Sequence, residues 1–179
     1  NNLCEYENGQ FHVKGKLKDG KPDDKWTAWF ENGQIMWVKH YKEGKLDGKR
    51  THWYENGHRE SEGNYKDGKK DGKHTWWNEN GKIDSEAHYK DGKIDGKAFG
   101  WFENGQIQEE GVFKDGKIVK MTVWYENGQI QEEGNYKDGK IDGKWTLWNE
   151  NGQILAEKQY KDGKCISGDC NLFDSLLEN

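Results

Sequence analysis

The sequence predicts an all-β repeat array, in which stacked β-hairpins form an elongated antiparallel sheet with a short C-terminal helical cap. Three observations carry that expectation. Asn-Gly recurs with its glycine at Gly9, Gly33, Gly57, Gly81, Gly105, Gly128 and Gly152, a spacing of 24 residues with one of 23. A second signature, Lys-Asp/Glu-Gly, ends eleven residues later each time, from Gly20 to Gly163. Large side chains keep fixed distances from these turns: Trp29, Trp53, Trp77, Trp101, Trp124 and Trp148 stand four before the glycine, and Leu17, Phe113 or a tyrosine stands eight after it. Self-similarity at such a period marks a repeat architecture.

Local chemistry justifies each element of a repeat. Asn and Gly tolerate positive φ, so Asn-Gly between runs of β formers signals a hairpin. A repeat such as 144–163 reads as strand, Glu-Asn-Gly turn, strand and Gly-rich return loop. Parity selects the turn. A two-residue loop would set each Trp and the following Ile35, Ile83, Ile107, Ile130 or Ile154 on opposite faces. A three-residue loop with its Gly left-handed sets them together. That choice defines a face A whose structural core is the six Trp. Beside them fall Thr27, Thr51, Thr75, Thr122 and Thr146, and small residues such as Gly63, Ala87 and Gly134 that leave room for a neighbour's ring.

Face B then holds the more varied residues, among them Trp26, Trp76 and Trp145, with Arg50, His52 and His74. These three rings read equally as a contact surface or as a second packed layer. The one regular feature of face B is an acidic row, Glu62, Glu86, Glu110, Glu133 and Glu157, five after each turn glycine. It reads either as a recognition row or as carboxylates paired with nearby lysines. A third signature, Asp-Gly-Lys, runs from Asp47-Gly48-Lys49 to Asp142-Gly143-Lys144. It is altered at Asp23-Asp24-Lys25 and lost at Ile118-Val119-Lys120, where the one-residue deletion falls. A hairpin alone is marginal in water, so stability must come from stacking. Seven repeats of about 24 residues thus occupy 1–168, and 169–179 is read as the cap. There Leu172, Phe173, Leu176 and Leu177 have helical spacing, with Asp169 or Asn171 as N-cap.

Composition narrows the function classes. The chain is 31% hydrophobic and 34% charged, close to the disordered class, but 10 Trp, 8 Tyr and 6 Phe supply a thin aromatic core. A net charge of -5 gives no basic footprint for nucleic acid. No apolar run is long enough to cross a membrane. The chain begins Asn1-Asn2-Leu3-Cys4, and Leu before Cys4 is a poor context for lipidation. Cys165 and Cys170 can bridge if a turn brings them together, but an odd count of three favours free thiols. No Cys/His spacing suits zinc, and neither a metal nor a cofactor is expected. No nucleophile elbow, P-loop, dinucleotide fingerprint or His-Glu-x-x-His is present, so no catalytic residue is assigned and the chain is read as non-enzymatic. His52 and His74 share face B near Arg50, as a solvated pair or as a metal or acid–base site.

The pattern Trp-Tyr/Phe/Asn-Glu-Asn-Gly, then Ile, then Tyr-Lys-Asp-Gly, then Asp-Gly-Lys resembles the bacterial variant of the MORN repeat, over about residues 4 to 168. Chains of this composition are similar to the YwqK-type antitoxin family. The resemblance implies stacked hairpins, a binding role and no catalytic residue. The expected function is a protein-binding scaffold, an antitoxin- or immunity-type inhibitor of a partner such as a toxin or nuclease. The alternative is a surface or envelope module for adhesion or host contact. Membrane headgroup binding is disfavoured by the acidic balance. A cytoplasmic location is favoured, with secretion or the envelope left open.

Overall fold

A computed structural model describes residues 2–5 and 11–170 of the chain. It divides into two compact units, Asn1–Lys93 and Ile94–Asn179. The first contains β1 (Asn2–Glu5), β2 (Phe11–Lys18), β3 (Lys21–Trp29), β4 (Ile35–Lys42), β5 (Lys45–Trp53), β6 (Arg59–Lys66), β7 (Lys69–Trp77) and β8 (Ile83–Lys90). The second contains β9 (Lys93–Trp101), β10 (Ile107–Lys114), β11 (Lys117–Trp124), β12 (Ile130–Lys137), β13 (Lys140–Trp148), β14 (Ile154–Lys161) and β15 (Lys164–Gly168). Within each unit every strand pairs antiparallel with its neighbour in sequence. The expected hairpin array is therefore present. No α-helix occurs among the described residues, and the expected cap, apart from Asp169 and Cys170, lies outside them.

The three-residue turn is built as its chemistry requires. In the β5–β6 hairpin Tyr54 N–H donates to His58 O at 2.9 Å, and Gly57 N–H donates to Tyr54 O at 2.9 Å. Gly57 sits at φ 86°, a left-handed conformation that glycine adopts without a Cβ clash. Asn56 explains its own place in the motif. Its Oδ1 accepts His58 N–H at 2.9 Å, and its Nδ2 donates to Glu79 O of the next repeat at 2.9 Å. The return loop is a second tight turn. Lys66 pairs with Lys69 around Asp67 at φ 49° and Gly68 at φ 84°, the positive-φ pair of a type I′ hairpin. Asp47 of the preceding repeat accepts Asp67 N–H at 3.3 Å, and Leu46 O accepts Gly68 N–H at 2.7 Å.

Two bulges interrupt the ladder, and the first corrects the expected faces. After each Asn-Gly turn one extra residue enters the outgoing strand: Trp53 pairs with Arg59, but His52 pairs with Ser61. Everything beyond Glu60 therefore changes face. Glu62 opposes Thr51 and lies on the Trp side, so the acidic row belongs to face A. Gly63 and Tyr65 pass to face B. The second bulge is the Asp-Gly-Lys motif itself. Asn64 pairs with Asp71 and Gly63 with His74, and the two residues between them, Gly72 and Lys73, have no partner on that side. Gly72 takes φ 78° there, and Asp24 takes φ 63° where the motif lacks its glycine.

Burial also differs from the expectation. The six Trp of face A are half-buried rather than enclosed. A single-layered sheet leaves both faces open to water, so each ring is covered only by its lateral neighbours. The enclosed apolar side chains are Ala28, Ala87, Trp145 and Ala156, with the Thr row among the buried polar ones.

Candidate functional site

Face A is a ladder of satisfied charges. Lys49 Nζ lies 2.8 Å from Glu62, Lys97 Nζ 2.8 Å from Glu110 and Lys120 Nζ 2.8 Å from Glu133, while Lys73 pairs with Glu86 and Lys144 with Glu157. Each lysine is the third residue of its Asp-Gly-Lys bulge or of Ile118-Val119-Lys120, where that motif is lost. Threonine hydroxyls complete the shell, Thr75 Oγ1 donating to Glu86 at 3.0 Å and Thr122 Oγ1 to Glu133 at 3.2 Å. Each carboxylate of the acidic row thus has a lysine partner.

Face B is organised by rings seated on glycines. Trp26 covers Gly15, His74 covers Gly63 and Trp145 covers Gly134; a Cβ on any of these glycines would overlap the ring. Neighbouring tyrosines close the sides edge-on, with Tyr136 and Tyr160 at 5.8 and 6.5 Å from Trp145 and Tyr65 and Tyr89 at 5.3 and 5.0 Å from His74. Ring nitrogens reach backbone carbonyls, Trp26 Nε1 donating to Lys16 O at 3.0 Å and His74 Nε2 meeting Asn64 O at 2.8 Å. Trp145 is 8% exposed and is a packing residue, whereas Trp26 and Trp76 remain half-exposed. All three lie on face B as expected.

In the first unit the same face carries a cavity of about 170 Å³, lined by the cations Arg50 and Lys70 and the carboxylates Glu60 and Glu62, beside His52, Tyr65 and Trp76. Arg50 is held from two sides, its Nε donating to His52 Nε2 at 2.9 Å and its Nη1 to Tyr65 Oη at 2.8 Å. Lys70 Nζ lies 4.7 Å from the Trp76 ring and 4.5 Å from that of Tyr89, and 3.4 Å from Tyr89 Oη. Lys39, directly opposite Arg50, sits 4.0 Å over the Trp37 ring. Burial, then Arg50 and Lys39, push His52 down to about 4, so the imidazole is neutral near pH 7. Burial, reinforced by Arg50, also lowers Lys39. The sequence placed Arg50, His52 and His74 together correctly, but the imidazoles are packed rather than solvated. Lys39 and Lys70 were missed. Their signal was available, because other copies carry small or aliphatic residues at most of those repeat positions.

Among the described residues no group of three or more His, Cys, Asp or Glu is placed to hold a metal ion. Cys165 and Cys170 are joined in a disulfide across a Cα separation of 5.7 Å, which corrects the expectation of free thiols. Gly168, at φ 89°, and the bend at Asp169 end β15 and bring them together.

A model of the MORN repeat variant family matches residues 46–67, 70–91, 94–115, 117–138 and 141–162. Each match runs from the end of one type I′ turn to the aspartate of the next. The copies around Gly9 and Gly33 lie outside the matched range, although Phe30 N–H to Gln34 O at 2.8 Å repeats the same turn geometry. No curated protein matches the chain.

Proposed function

This chain belongs to the MORN repeat variant family, and we propose that it is a non-enzymatic scaffold that binds another protein through face B of its first unit. MORN repeats generally mediate protein or membrane binding. The observation that carries the reading is the contrast between faces. Face A spends its charges on internal pairs, whereas face B of the first unit gathers cations and half-buried rings around an open cavity. Aromatic and arginine side chains in such settings are the ones that dominate protein interfaces. The finer form of the proposal is an inhibitor of antitoxin or immunity type. A nuclease partner suits it chemically, since active sites that bind metal ions gather carboxylates that a cationic face can occupy.

The test begins with the immobilised full chain as bait, followed by identification of what it retains and reconstitution of the purified pair. Capture of a toxin or nuclease whose activity the chain suppresses supports the inhibitor. A captured enzyme that works equally well with the chain bound sinks the inhibitor form. A chain that forms no complex with any protein sinks the scaffold reading itself.

The disulfide favours a second reading, a surface or envelope interaction module, because such bonds persist in oxidising compartments. Fractionation separates the two, with the protein recovered outside the cytoplasm under this reading and within it under the first.

A further inference from the structure

We propose that Lys39, Arg50 and Lys70 form a carboxylate-recognition site for an acidic, ring-bearing segment of the protein partner. The inference rests on the scaffold reading and names the chemistry of its partner.

Comparison of the repeats within the chain points to it. The position of Lys39 holds Gly15, Gly63, Ala87, Gly111 and Gly134 in other copies, and is again lysine only at Lys158. The position of Arg50 holds Trp26, His74, Ala98, Met121 and Trp145. The position of Lys70 holds Pro22, Leu46, Ile94, Ile118, Ile141 and Cys165. Three independent departures from the repeat each introduce a cation. The fold brings all three to one patch: Lys39 opposes Arg50, Arg50 bonds Tyr65, and Tyr65 opposes Lys70.

Folding alone does not account for this arrangement. Like charges placed directly opposite each other in an antiparallel pair are destabilising. Among the described residues none of the three forms an ion pair, while Lys49 and Lys73 on the other face of the same strands each hold a glutamate. The side chains are also positioned. Arg50 is tethered by His52 and Tyr65, and Lys70 rests against two rings, so little side-chain freedom remains to be lost on binding. Neutral His52 accepts from Arg50 through Nε2, which sets the guanidinium in place without adding a competing charge.

The geometry favours a carboxylate over a phosphate. Glu60, with its Oε2 3.9 Å from His52 Nδ1, stands at the rim and would repel a dianion more than a single carboxylate. The flanking Trp37, Tyr65 and Trp76 offer stacking area to an aromatic neighbour on the same segment. A partner segment alternating acidic and aromatic residues fits both features.

The probe is a short fluorescent peptide alternating Glu and Phe, titrated against the full chain. Its controls are the same peptide with Gln for Glu, inorganic phosphate, and vesicles of phosphatidylcholine with phosphatidylserine. The variant Lys39→Ala/Lys70→Ile carries residue types found at these positions in other repeats, so its unfolding midpoint should be retained. Arg50→Met is the second variant. The Glu peptide is expected to bind the chain roughly tenfold more tightly than the Gln peptide, with the preference weakening as salt rises and lost in both variants. Equal binding of the two peptides, or undiminished binding by folded variants, overturns the site. Displacement of the peptide by phosphate at equal concentration, or binding to vesicles without binding to peptide, overturns it in favour of a phosphate-bearing ligand. If the variants still capture the partner found by pull-down, this site is wrong while the scaffold stands. If the peptide binds as expected but no protein is ever captured, the scaffold reading fails and the carboxylate site remains.

Discussion

Gly134→Ala tests the seat on which Trp145 rests. The added Cβ would overlap the indole ring, and the ring has nowhere to retreat, with Tyr136 and Tyr160 edge-on at 5.8 and 6.5 Å. Forcing a methyl into such a contact costs about 1–3 kcal/mol. Reduced freedom of the unfolded chain offsets about 0.4–1 kcal/mol of that. Gly134 has ordinary negative φ, so no backbone strain enters. Complete ejection of the ring bounds the loss from above: about 150–250 Å² at about 25 cal/mol per Å² is roughly 4–6 kcal/mol. The expected net destabilisation is therefore roughly 1–2 kcal/mol. A double-mutant cycle with Trp145→Ala isolates the cause. With the ring gone, Ala at 134 should become neutral or slightly stabilising, a reversal of sign. Urea unfolding followed by far-UV circular dichroism reads all four chains. Additive effects of the two substitutions would refute the ring-on-glycine account.

Glu86→Gln removes the charge that Lys73 and Thr75 hold, yet urea melts should shift by only about 0.2–1 kcal/mol, because Lys73 is half-exposed. Asn56→Ala takes away both the turn bond to His58 and the bond to Glu79 O, and should cost about 1 kcal/mol in the same assay. His52 is held below its ordinary 6.5, at about 4, so between those values the unfolded chain takes up a proton that the folded chain refuses. Stability should be full above about pH 6.5 and decline as pH falls toward about 4; a His52→Gln variant with the same decline would exclude His52 as its source. Thiol titration of the unfolded protein should find one reactive cysteine before reduction and three after it, given the Cys165–Cys170 bond among three cysteines.

The sequence carried the turns well and the strand interiors poorly. Glu-Asn-Gly announced its three-residue loop because φ tolerance is a property of the residues themselves, and Gly57 needed no tertiary context to be placed. The face of Glu62 was not legible in the same way. It depends on whether Glu60 occupies a rung of the ladder or bulges, and alternation alone does not distinguish the two. Asp-Gly-Lys did contain a clue, since an isolated glycine inside a strand is itself a bulge signal. Half of the cationic site was readable. Arg50, His52 and His74 lie on the strand that precedes each turn, where parity was right. Lys39 lies beyond the turn bulge, where parity was wrong, and Lys70, although on the same strand as His74, lies before the Asp-Gly-Lys bulge, outside the strand as read from the sequence. Trp145 was named for its size, but its burial follows from the absence of a side chain at Gly134, a relation between two strands that no single strand displays.

The amides of Asn32, Asn56, Asn104 and Asn127 each grip the backbone of the repeat that follows, as Asn32 does with Glu55 O and Asn127 with Glu150 O, and bulge aspartates reach forward in the same sense, Asp23 to Glu43 N–H and Asp142 to Asp162 N–H. A whole copy duplicated into a gene for such a chain arrives with a side-chain donor and a side-chain acceptor for its successor, and with the matching backbone carbonyl and N–H for its predecessor, so every existing bond finds an equivalent partner. A copy number that drifts by whole units leaves this hydrogen bonding unbroken, and even the repeat that is one residue short keeps its asparagine bond, Asn104 Nδ2 donating to Glu126 O at 3.3 Å. The motif thus makes unequal recombination between copies structurally tolerable.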